Sequence, residues 1–294
     1  MAVIKVENLT KTYRSGKGVF DLNFTVNEGE VFGYLGPNGA GKTTTIRQLM
    51  GFTNADKGSC TIAGLDCRKE SEEIQRIVGY LPGEIAFFDN MTGTEFLNFM
   101  ADMRGIKDEK LKKNLIDRFE LDPKGKIRKM SKGMKQKLAI IAAFMHDPKV
   151  YILDEPTSGL DPLMQKNFID LINEEKKRGK TILMSSHIFE EIERTSDRVG
   201  VIREGRIVAI EEVSSIKQSL RKIFIVTVAG DSDILTLQES GLEISKINGL
   251  ECEIVVTSNY KQFIETLGKC QVVGLDVLHQ SLEQVFMKYY GKGE

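Results

Sequence analysis

The stretch that decides the fold of this chain is Gly36-Pro37-Asn38-Gly39-Ala40-Gly41-Lys42-Thr43. Its spacing, G-x-x-x-x-G-K-[ST], is that of phosphate-binding loops. An apolar run at residues 31–35 predicts a short strand leading into the loop, and a helix is expected after it, ending near residue 50. The glycines let consecutive backbone N–H groups turn toward an anion, and the start of the helix adds a positive end. The stretch therefore predicts a strand–loop–helix unit that binds phosphate.

Two side chains of this loop are expected to carry its chemistry. Lys42 is predicted to bridge the terminal phosphates of a nucleotide, and the Thr43 hydroxyl to contact Mg²⁺. Thr44, at the start of the helix, completes the expected set of nucleotide contacts together with the whole loop. The alternative is a glycine-rich turn with an incidental lysine, and the strand and helix on either side argue against it.

A second apolar run, at residues 150–153, ends in Asp154 and Glu155. A buried strand that ends in carboxylates brings them to the carboxyl edge of a parallel sheet, where ligands bind in such folds. Asp154 is expected to hold the Mg²⁺ through its coordination shell, and Glu155 to polarise the attacking water. An acidic pair can also simply cap a strand, but the phosphate loop upstream favours the catalytic interpretation.

Size and composition narrow the class of protein. The chain has 294 residues, so one large domain and a smaller one are expected. Lys plus Arg (41) nearly balance Asp plus Glu (42), which argues against broad, charge-driven binding of nucleic acid. No apolar run approaches the roughly 20 residues that cross a bilayer, and the start of the chain does not have the pattern of a signal peptide. Any membrane role is therefore expected to depend on a partner.

Strands and helices alternate through most of the chain. Strands are predicted at residues 2–7 and 18–26, and the pattern from 92 to 146 is helical, with one helix at 133–145. The alternation that follows predicts a largely parallel sheet with helices on both faces. The elements predicted there are strands at 150–153, 181–185, 199–203 and 206–210 and helices at 162–177 and 188–194.

The character of the sequence changes after residue 219. A β-α-β-β-α-β order is predicted, followed by a terminal helix. Its elements are strands at 223–228, 243–247, 253–256 and 272–278, a helical turn near Ile234, and helices at 260–267 and 282–290.

Around the two nucleotide motifs, over about residues 3–210, the chain resembles the nucleotide-binding domain of ATP-binding cassette (ABC) proteins. Tyr13 matches the aromatic residue that stacks on adenine in that family. Residues 130–134 (MSKGM) lie where the family carries its signature, normally Leu-Ser-Gly-Gly-Gln, and residues 158–161 (SGLD) match the loop that crosses to the partner subunit. His187, after a predicted strand, matches the switch histidine that senses the terminal phosphate.

The resemblance implies an α/β fold: a P-loop NTPase core of the ABC cassette type, with a mixed sheet and a helical subdomain, and then a small C-terminal α+β ferredoxin-like domain. The expected domain bounds are residues 1–215 for the ATPase, with the helical subdomain at about 88–148, and residues 220–294 for the accessory domain.

The resemblance also implies a mechanism that no single subunit completes. Two copies in head-to-tail apposition enclose two ATP molecules, each between one phosphate loop and the other copy's signature helix. Glu155 then acts as the base and His187 positions the reacting groups. ATP binding closes the pair and hydrolysis lets it reopen. The further residues expected to contact the nucleotide are Ser131, Lys132, Gly133, Met134 and Asp161.

The sequence departs from the family pattern at two places. After Tyr80-Leu81-Pro82 the family usually has a glutamine that touches Mg²⁺, whereas this chain has Gly83 and then Glu84, which we treat as a hypothetical substitute. In the signature, Lys132 and Met134 replace a glycine and the glutamine. Lys132 either adds positive charge near the opposing phosphate or is solvated surface.

The function implied is that of the ATP-hydrolysing subunit of a transporter, paired with a separately encoded membrane permease at the inner face of the cell membrane. The chain has one cassette and a helical insertion of modest length, which favours this over a soluble ribosome- or DNA-associated ATPase of the same family. The SKGMKQ run at 131–136 and the LEQVFMKYY ending at 282–290 resemble ABC-2 type exporters. Binding of nucleic acid is not expected.

Overall fold

The computed structural model describes residues 1–88, 90–219, 222–257 and 259–279. The chain divides into two compact units, Met1–Val213 and Ser214–Glu294. The first unit contains the phosphate loop and every residue predicted to take part in nucleotide chemistry. Among the helices of the described residues, none has both the length and the apolar character that crossing a bilayer requires.

The first unit contains two sheets and the helices that cover them. Its strands are β1 (Ala2–Thr12), β2 (Gly18–Asn27), β3 (Val31–Leu35), β4 (Lys57–Ile62), β5 (Leu65–Asp66), β6 (Val78–Leu81), β7 (Val150–Asp154), β8 (Thr181–Ser186), β9 (Arg198–Arg203) and β10 (Arg206–Glu212). Its helices are α1 (Lys42–Leu49), α2 (Ser71–Ile77), α3 (Gly93–Met103), α4 (Lys110–Arg118), α5 (Lys132–Phe144), α6 (Pro162–Lys177) and α7 (Phe189–Thr195).

The larger sheet has the strand order β10-β9-β3-β8-β7-β6. Its pairs are parallel except β9–β10, which is an antiparallel hairpin. Every residue of β3, β7 and β8 is buried, as expected for apolar strands covered on both faces. In the register of the three strands, Leu35 lies opposite Ser186, and Asp154 lies opposite Ser185. The ends of β3, β7 and β8 therefore meet at one edge of the sheet.

The smaller sheet is antiparallel and has the order β2-β1-β4-β5. Its buried face joins α1 and the larger sheet in one hydrophobic core. Phe24 of β2 stacks on Phe32 and Tyr34 of β3 with ring centroids 5.5 Å apart in both pairs, and Ile46 and Leu49 of α1 are fully buried in the same cluster. The helix that follows the phosphate loop is thus held against both sheets.

The expected mixed-sheet α/β core is confirmed, with additions between residues 50 and 92. Helix α1 ends at Leu49 and α5 spans 132–144, each within a residue or two of its prediction. The elements β4, α2 and β6 were not predicted. They are short, and in α2 only Ile74 is buried. The sequence there has too little hydrophobic periodicity to predict them. β6 leads to Gly83, where the sequence departs from the family pattern.

The second unit is an antiparallel sheet with two helices. Its elements are β11 (Lys222–Val228), α9 (Asp231–Glu239), β12 (Glu243–Asn248), β13 (Glu251–Val256), α10 (Tyr260–Leu267) and β14 (Val272–His279), and α8 (Val213–Ser219) begins at the boundary between the units. The sheet order β12-β13-β11-β14, with every pair antiparallel, is that of the ferredoxin-like arrangement. The β-α-β-β-α-β order is confirmed, and the helix predicted at 282–290 lies outside the described residues.

Candidate active site

The phosphate loop connects the end of β3 to the start of α1. Gly39 and Gly41 have φ values of +81° and +112°, which disfavour residues with a Cβ atom. A Cβ at Gly36 would lie 2.5 Å from the carbonyl oxygen of Ile202, so that position has no room for a side chain. Pro37 and Asn38 are exposed at the tip of the loop. The loop therefore presents backbone rather than side chains at the start of a helix, as anion binding requires.

Lys42 points back across the loop that precedes it. Its Nζ donates to the carbonyl oxygens of Gly36 at 2.6 Å and Pro37 at 3.2 Å, and lies 3.0 Å from Oε1 of Glu155. The residue is 6% exposed, so its charge is held in a poorly hydrated place. A partly desolvated ammonium of this kind interacts more strongly with an anion than a solvated one does.

Glu155 lies at the centre of the site because it contacts Lys42, at the start of α1, and His187, just after β8. Its Oε1 pairs with Lys42, and its Oε2 lies 2.6 Å from Nδ1 of His187. The backbone of Glu155 is left-handed, with φ +50°, and its N–H donates to the carbonyl and to Oγ of Ser185. Such a backbone is uncommon outside glycine and asparagine and turns the carboxylate away from the strand direction. The neighbouring ends of β7 and β8 thus bring Glu155 and His187 together.

Asp154, the last residue of β7, is completely buried. Its Oδ1 accepts a hydrogen bond from Ser185 Oγ at 2.5 Å, whereas its Oδ2 has no hydrogen-bond partner among the described residues. Burial raises the pKa of Asp154 above its ordinary value, and the hydroxyls of Ser185 and Thr43 act against that rise. A buried carboxylate oxygen without a donor, close to the Thr43 hydroxyl, fits a hard divalent cation such as Mg²⁺.

Gly83 lies directly against this carboxylate. A Cβ at position 83 would lie 3.0 Å from the unpartnered Oδ2 of Asp154, so the backbone of the loop after β6 approaches the expected metal ligand closely. Glu84, the hypothetical substitute for the family's glutamine, is exposed and forms no hydrogen bond or ion pair with another described residue. Its proposed metal contact remains a prediction.

The signature segment begins helix α5. Ser131 is its N-cap, and its Oγ accepts a hydrogen bond from the N–H of Met134 at 3.2 Å. Lys132 Nζ donates to Ser158 Oγ of the same chain at 3.1 Å, and its stem lies along Gly159. In this structure Lys132 therefore binds the loop after Glu155, which neither of the two sequence interpretations anticipated.

Gly133 also lies against that loop, because a Cβ there would be 2.8 Å from the carbonyl oxygen of Gly159. Asp161 ends the loop as the N-cap of α6, and its Oδ1 accepts from the N–H of Met164 at 3.0 Å. Tyr13 follows β1 in a turn and is 40% exposed. No hydrogen bond or ion pair between described residues joins Tyr13, Asp161 or the signature to the phosphate loop.

The structure adds four residues that the sequence did not single out. Ser185 bonds Asp154, and Thr157 and Ser186 both donate to a buried carboxylate on α7, that of Glu191. The signal that could have found Ser185 and Ser186 is their place directly before His187 in the Ser-Ser-His run. Residues 190–194, EEIER, have the composition of an exposed helix surface. The sequence therefore gives no sign that Glu191 is buried.

Comparisons with known proteins agree with this geometry. The family model described as "ABC transporter" matches residues 19–158. Over its whole length the chain is similar to the bacitracin transport ATP-binding protein of Bacillus licheniformis, with 37% identity covering 99% of this chain and 98% of the relative. It is also similar to the linearmycin resistance ATP-binding protein of Bacillus subtilis (strain 168), with 32% identity and 99% of each chain covered.

Solved structures give the same result for the fold. The ATP-binding subunit of an ABC transporter superposes with a TM-score of 0.68 at 32% identity, covering 74% of this chain and 92% of that one. A dimeric ATP-binding cassette in a post-hydrolysis state bound to ADP and Pi superposes with a TM-score of 0.66 at 21% identity, covering 71% and 98%, which concerns the fold alone. The phosphate loop, the buried acidic strand end and this similarity lead to one conclusion: the chain belongs to the ABC transporter family, as an ATP-binding and ATP-hydrolysing protein of that family.

Proposed function

We propose that this chain powers export through a separately encoded membrane permease, working as a head-to-tail pair of subunits that closes on ATP and reopens on hydrolysis. The observation that carries the hydrolytic part is the contact of Glu155 with both Lys42 and His187. It joins the phosphate-binding cation, a carboxylate suited to be a base and a histidine at one edge of the sheet.

At this edge each residue has a distinct role in the proposal. Lys42 attracts the terminal phosphates, and those phosphates compete with Glu155 for the positive charge of Lys42. Glu155, released from part of that ion pair, accepts a proton from the attacking water. His187 is 45% exposed at its side chain, so it can reach the terminal phosphate while Nδ1 stays near Glu155. General-base catalysis of this kind contributes roughly 10²- to 10⁴-fold to a rate.

We propose Asp154 and Thr43 as the residues that hold Mg²⁺. Support comes from the buried Oδ2 of Asp154, which lacks a protein donor, and from the nearby Thr43 hydroxyl. The ion supplies positive charge to the phosphate oxygens when it is bound. Ser185 orients the carboxylate through its other oxygen, and Gly83 keeps side-chain atoms away from Oδ2.

The pairing of two subunits is supported by the position of the signature segment. Ser131, Lys132 and Gly133 lie at the start of α5, where backbone N–H groups and the helix dipole favour an anion. Their recorded contacts run to the Ser158–Gly159 loop rather than to the phosphate loop of the same chain. When a second copy of the chain is opposed head to tail, the start of α5 in one copy faces the phosphate bound by the other.

A groove in the first unit supports a membrane partner. It has a volume of about 320 Å³, includes Pro82 in its lining and is lined largely by apolar side chains, with the aromatic residues Phe52, Tyr80, Phe87 and Phe88 among them. Phe52 and Phe88 are 48% and 56% exposed. We assign this groove to a cytoplasmic segment of the permease, because it is apolar and continues into the Gly83 loop beside Asp154. The chain is then peripheral on the inner face of the membrane.

Export, and the class of substrate, are supported by the two relatives named for bacitracin transport and linearmycin resistance. We propose that the transported molecule belongs to the same broad class of antibiotic-like compounds. Selection among such compounds lies in the permease. We also propose residues 1–215 as the ATPase, with the helical subdomain at about 88–148, and residues 220–294 as an accessory domain, a division supported by the two compact units Met1–Val213 and Ser214–Glu294.

The test is to purify the tagged full-length chain from its host in mild detergent with ATP, and to identify its stoichiometric partners by mass spectrometry. An integral membrane protein with several hydrophobic spans is the expected partner. Ribosomal or DNA-bound proteins without a membrane protein would instead assign the same ATPase to a soluble role. A matched purification of a Phe52→Ser, Phe88→Ser variant should lose the membrane protein while it keeps ATPase activity.

A further inference from the structure

One buried carboxylate near the site has no part in the function described so far. Glu191 lies on α7, four residues after His187, and the residue is only 4% exposed. Thr157 Oγ1 donates to its Oε1, and Ser186 Oγ donates to its Oε2 at 2.7 Å. Among the described residues, no lysine or arginine forms an ion pair with it. Its two partners are therefore neutral hydroxyls.

These two hydroxyls belong to the segments that carry the reacting groups. Thr157 is two residues after Glu155, and Ser186 directly precedes His187. Ser186 Oγ also accepts a hydrogen bond from the N–H of Ile188 at 2.9 Å, which closes the turn around His187. One carboxylate thus bonds both the loop that leaves β7 and the turn that leaves β8. The Glu155–His187 contact of 2.6 Å lies between these two attachment points.

A structural role in stability accounts poorly for this residue. Burying a carboxylate without a cation costs free energy, and two hydroxyl donors recover only part of it. Accordingly, burial raises the pKa of Glu191, while the Thr157 and Ser186 hydroxyls oppose that rise. The charge of Glu155 raises the same pKa and His187 lowers it, so both groups are within electrostatic range. An apolar residue at this position would cost less but would hold neither segment.

We propose that Glu191 is a positioning residue for ATP hydrolysis: by binding Thr157 and Ser186 it fixes the distance between Glu155 and His187. The inference rests on the proposed roles of those two residues. It predicts that Glu191 acts on the rate of the chemical step and not on the binding of ATP, since it touches neither the phosphate loop nor the signature segment.

The chain offers a matched control in Glu175 of α6. It is 5% exposed, accepts a hydrogen bond from the Tyr151 hydroxyl at 3.2 Å and pairs with Arg178 at 2.7 Å. It is a buried glutamate on a helix of the same unit, with partners other than the two segments that Glu191 joins. Loss of either carboxylate leaves buried hydroxyl groups unpaired, so both substitutions are expected to lower Tm.

The test measures kcat, KM for ATP and Tm for Glu191→Ala, Glu191→Gln and Glu175→Ala. We expect Glu191→Ala to lower kcat about 10- to 100-fold with KM nearly unchanged, because a small misplacement of reacting groups has effects of that size. Glu191→Gln should recover most of the rate, since an amide accepts from one hydroxyl and donates to the other. Glu175→Ala should lower Tm and keep kcat.

Thr157→Val should lower kcat as a single variant. Combined with Glu191→Ala it should add little further loss, because the two residues act through one hydrogen bond.

A wild-type kcat in Glu191→Ala, or an equal loss of kcat in Glu175→Ala, would overturn the inference. If Glu191→Ala does not fold, Thr157→Val decides: a wild-type kcat in that variant overturns the inference as well. Glu155→Gln is measured alongside. If that variant still hydrolyses ATP, the proposed role of Glu155 is wrong; if it is inactive while Glu191→Ala is fully active, only the role of Glu191 is wrong.

Discussion

At the scale of single residues, the site is defined by how neighbouring side chains share their partners. Glu155 has one oxygen on Lys42 and the other on His187, so its carboxylate is linked both to the phosphate-binding cation and to the group expected to sense the phosphate. Asp154, one residue earlier, is completely buried and faces Ser185 instead. Glu155 follows the end of β7 and has a left-handed backbone, and its carboxylate has partners different from those of Asp154. In the proposed function, Asp154 holds the metal and Glu155 acts on the attacking water.

Replacement of Glu155 by Gln is the prediction that belongs to this scale. The amide keeps the size of the side chain but cannot act as a base, so we expect kcat to fall roughly 10²- to 10⁴-fold while ATP affinity is retained or increased. Phosphate release and equilibrium binding of a fluorescent ATP analogue measure the two quantities. Glu190→Gln, at an exposed position of α7, is the matched control and should hydrolyse ATP normally. Undiminished hydrolysis by Glu155→Gln would refute its assignment as base.

At the scale of elements, two predicted site residues are also helix caps. Ser131 accepts from the N–H of Met134 at the start of α5, and Asp161 accepts from the N–H of Met164 at the start of α6. Capping by such residues stabilises a helix by roughly 0.5–2 kcal/mol, so their presence has a structural reason as well as a functional one. The loop that follows Glu155 is bound by two helices. Lys132 of α5 bonds Ser158, and Glu191 of α7 bonds Thr157. Lys132 and Glu191 therefore connect both α5 and α7 to the loop that follows Glu155.

A second contact between elements gives a prediction about pH. His146, just after α5, accepts at Nε2 a hydrogen bond from Arg104 Nη1 at 2.7 Å, and Arg104 also donates to the carbonyl of Arg76 at the end of α2. Burial, together with the charge of Arg104, lowers the pKa of His146 from 6.5 to about 4. His146 is therefore neutral at pH 7, and its Nε2 accepts the hydrogen bond. Through Arg104, this hydrogen bond links the ends of α3, α2 and α5.

Since the folded state binds fewer protons than the unfolded state between the two pKa values, the protein should lose stability as the pH falls from about 6.5 toward 4. In His146→Gln the amide oxygen can accept from Arg104 without titrating. We expect its Tm to fall less than that of the wild type over this range, and the two to lie closer at neutral pH. Thermal unfolding followed by circular dichroism at several pH values measures this. Parallel Tm profiles for the two proteins would contradict the assignment.

At the scale of the whole molecule, the proposed reaction depends on two copies of the chain. The phosphate loop and the signature helix α5 are in one unit, yet no recorded hydrogen bond or ion pair between described residues connects them. In the proposed head-to-tail pair, the phosphate loop of each copy faces the signature helix of the other, an arrangement in which both interfaces are identical. It also means that the two halves can be inactivated in separate chains.

Mixing two inactive variants tests this arrangement. Lys42→Ala removes the phosphate-binding cation, and Ser131→Glu places a negative charge where the opposing phosphate is expected. Each alone should be inactive, but an equal mixture should recover about a quarter of wild-type turnover, because half of the pairs are mixed and each mixed pair holds one intact site. The control is a mixture of Lys42→Ala with the Lys42→Ala, Ser131→Glu double variant, which contains no intact phosphate loop. Failure of the first mixture to exceed this control would contradict the head-to-tail pair.

The sequence by itself determined the local chemistry of this protein. The residues of the phosphate loop, the acidic end of β7 and the β-α-β-β-α-β order of the second unit follow from spacing and periodicity, since each is encoded within a short stretch. The family signature and the switch histidine followed from resemblance. Elements with weak periodicity, such as α2 and β6, did not follow.

Only the tertiary structure decided which of these groups meet. Lys42, Glu155 and His187 lie far apart along the chain, and they come together because β3, β7 and β8 are parallel neighbours whose ends share one edge. The burial of Glu191 and the binding of Lys132 to Ser158 were equally invisible, because glutamate and lysine in a polar run predict solvent exposure. A sequence specifies which side chains are available, whereas the packing of distant strands and helices sets the distances over which charges and hydrogen bonds act.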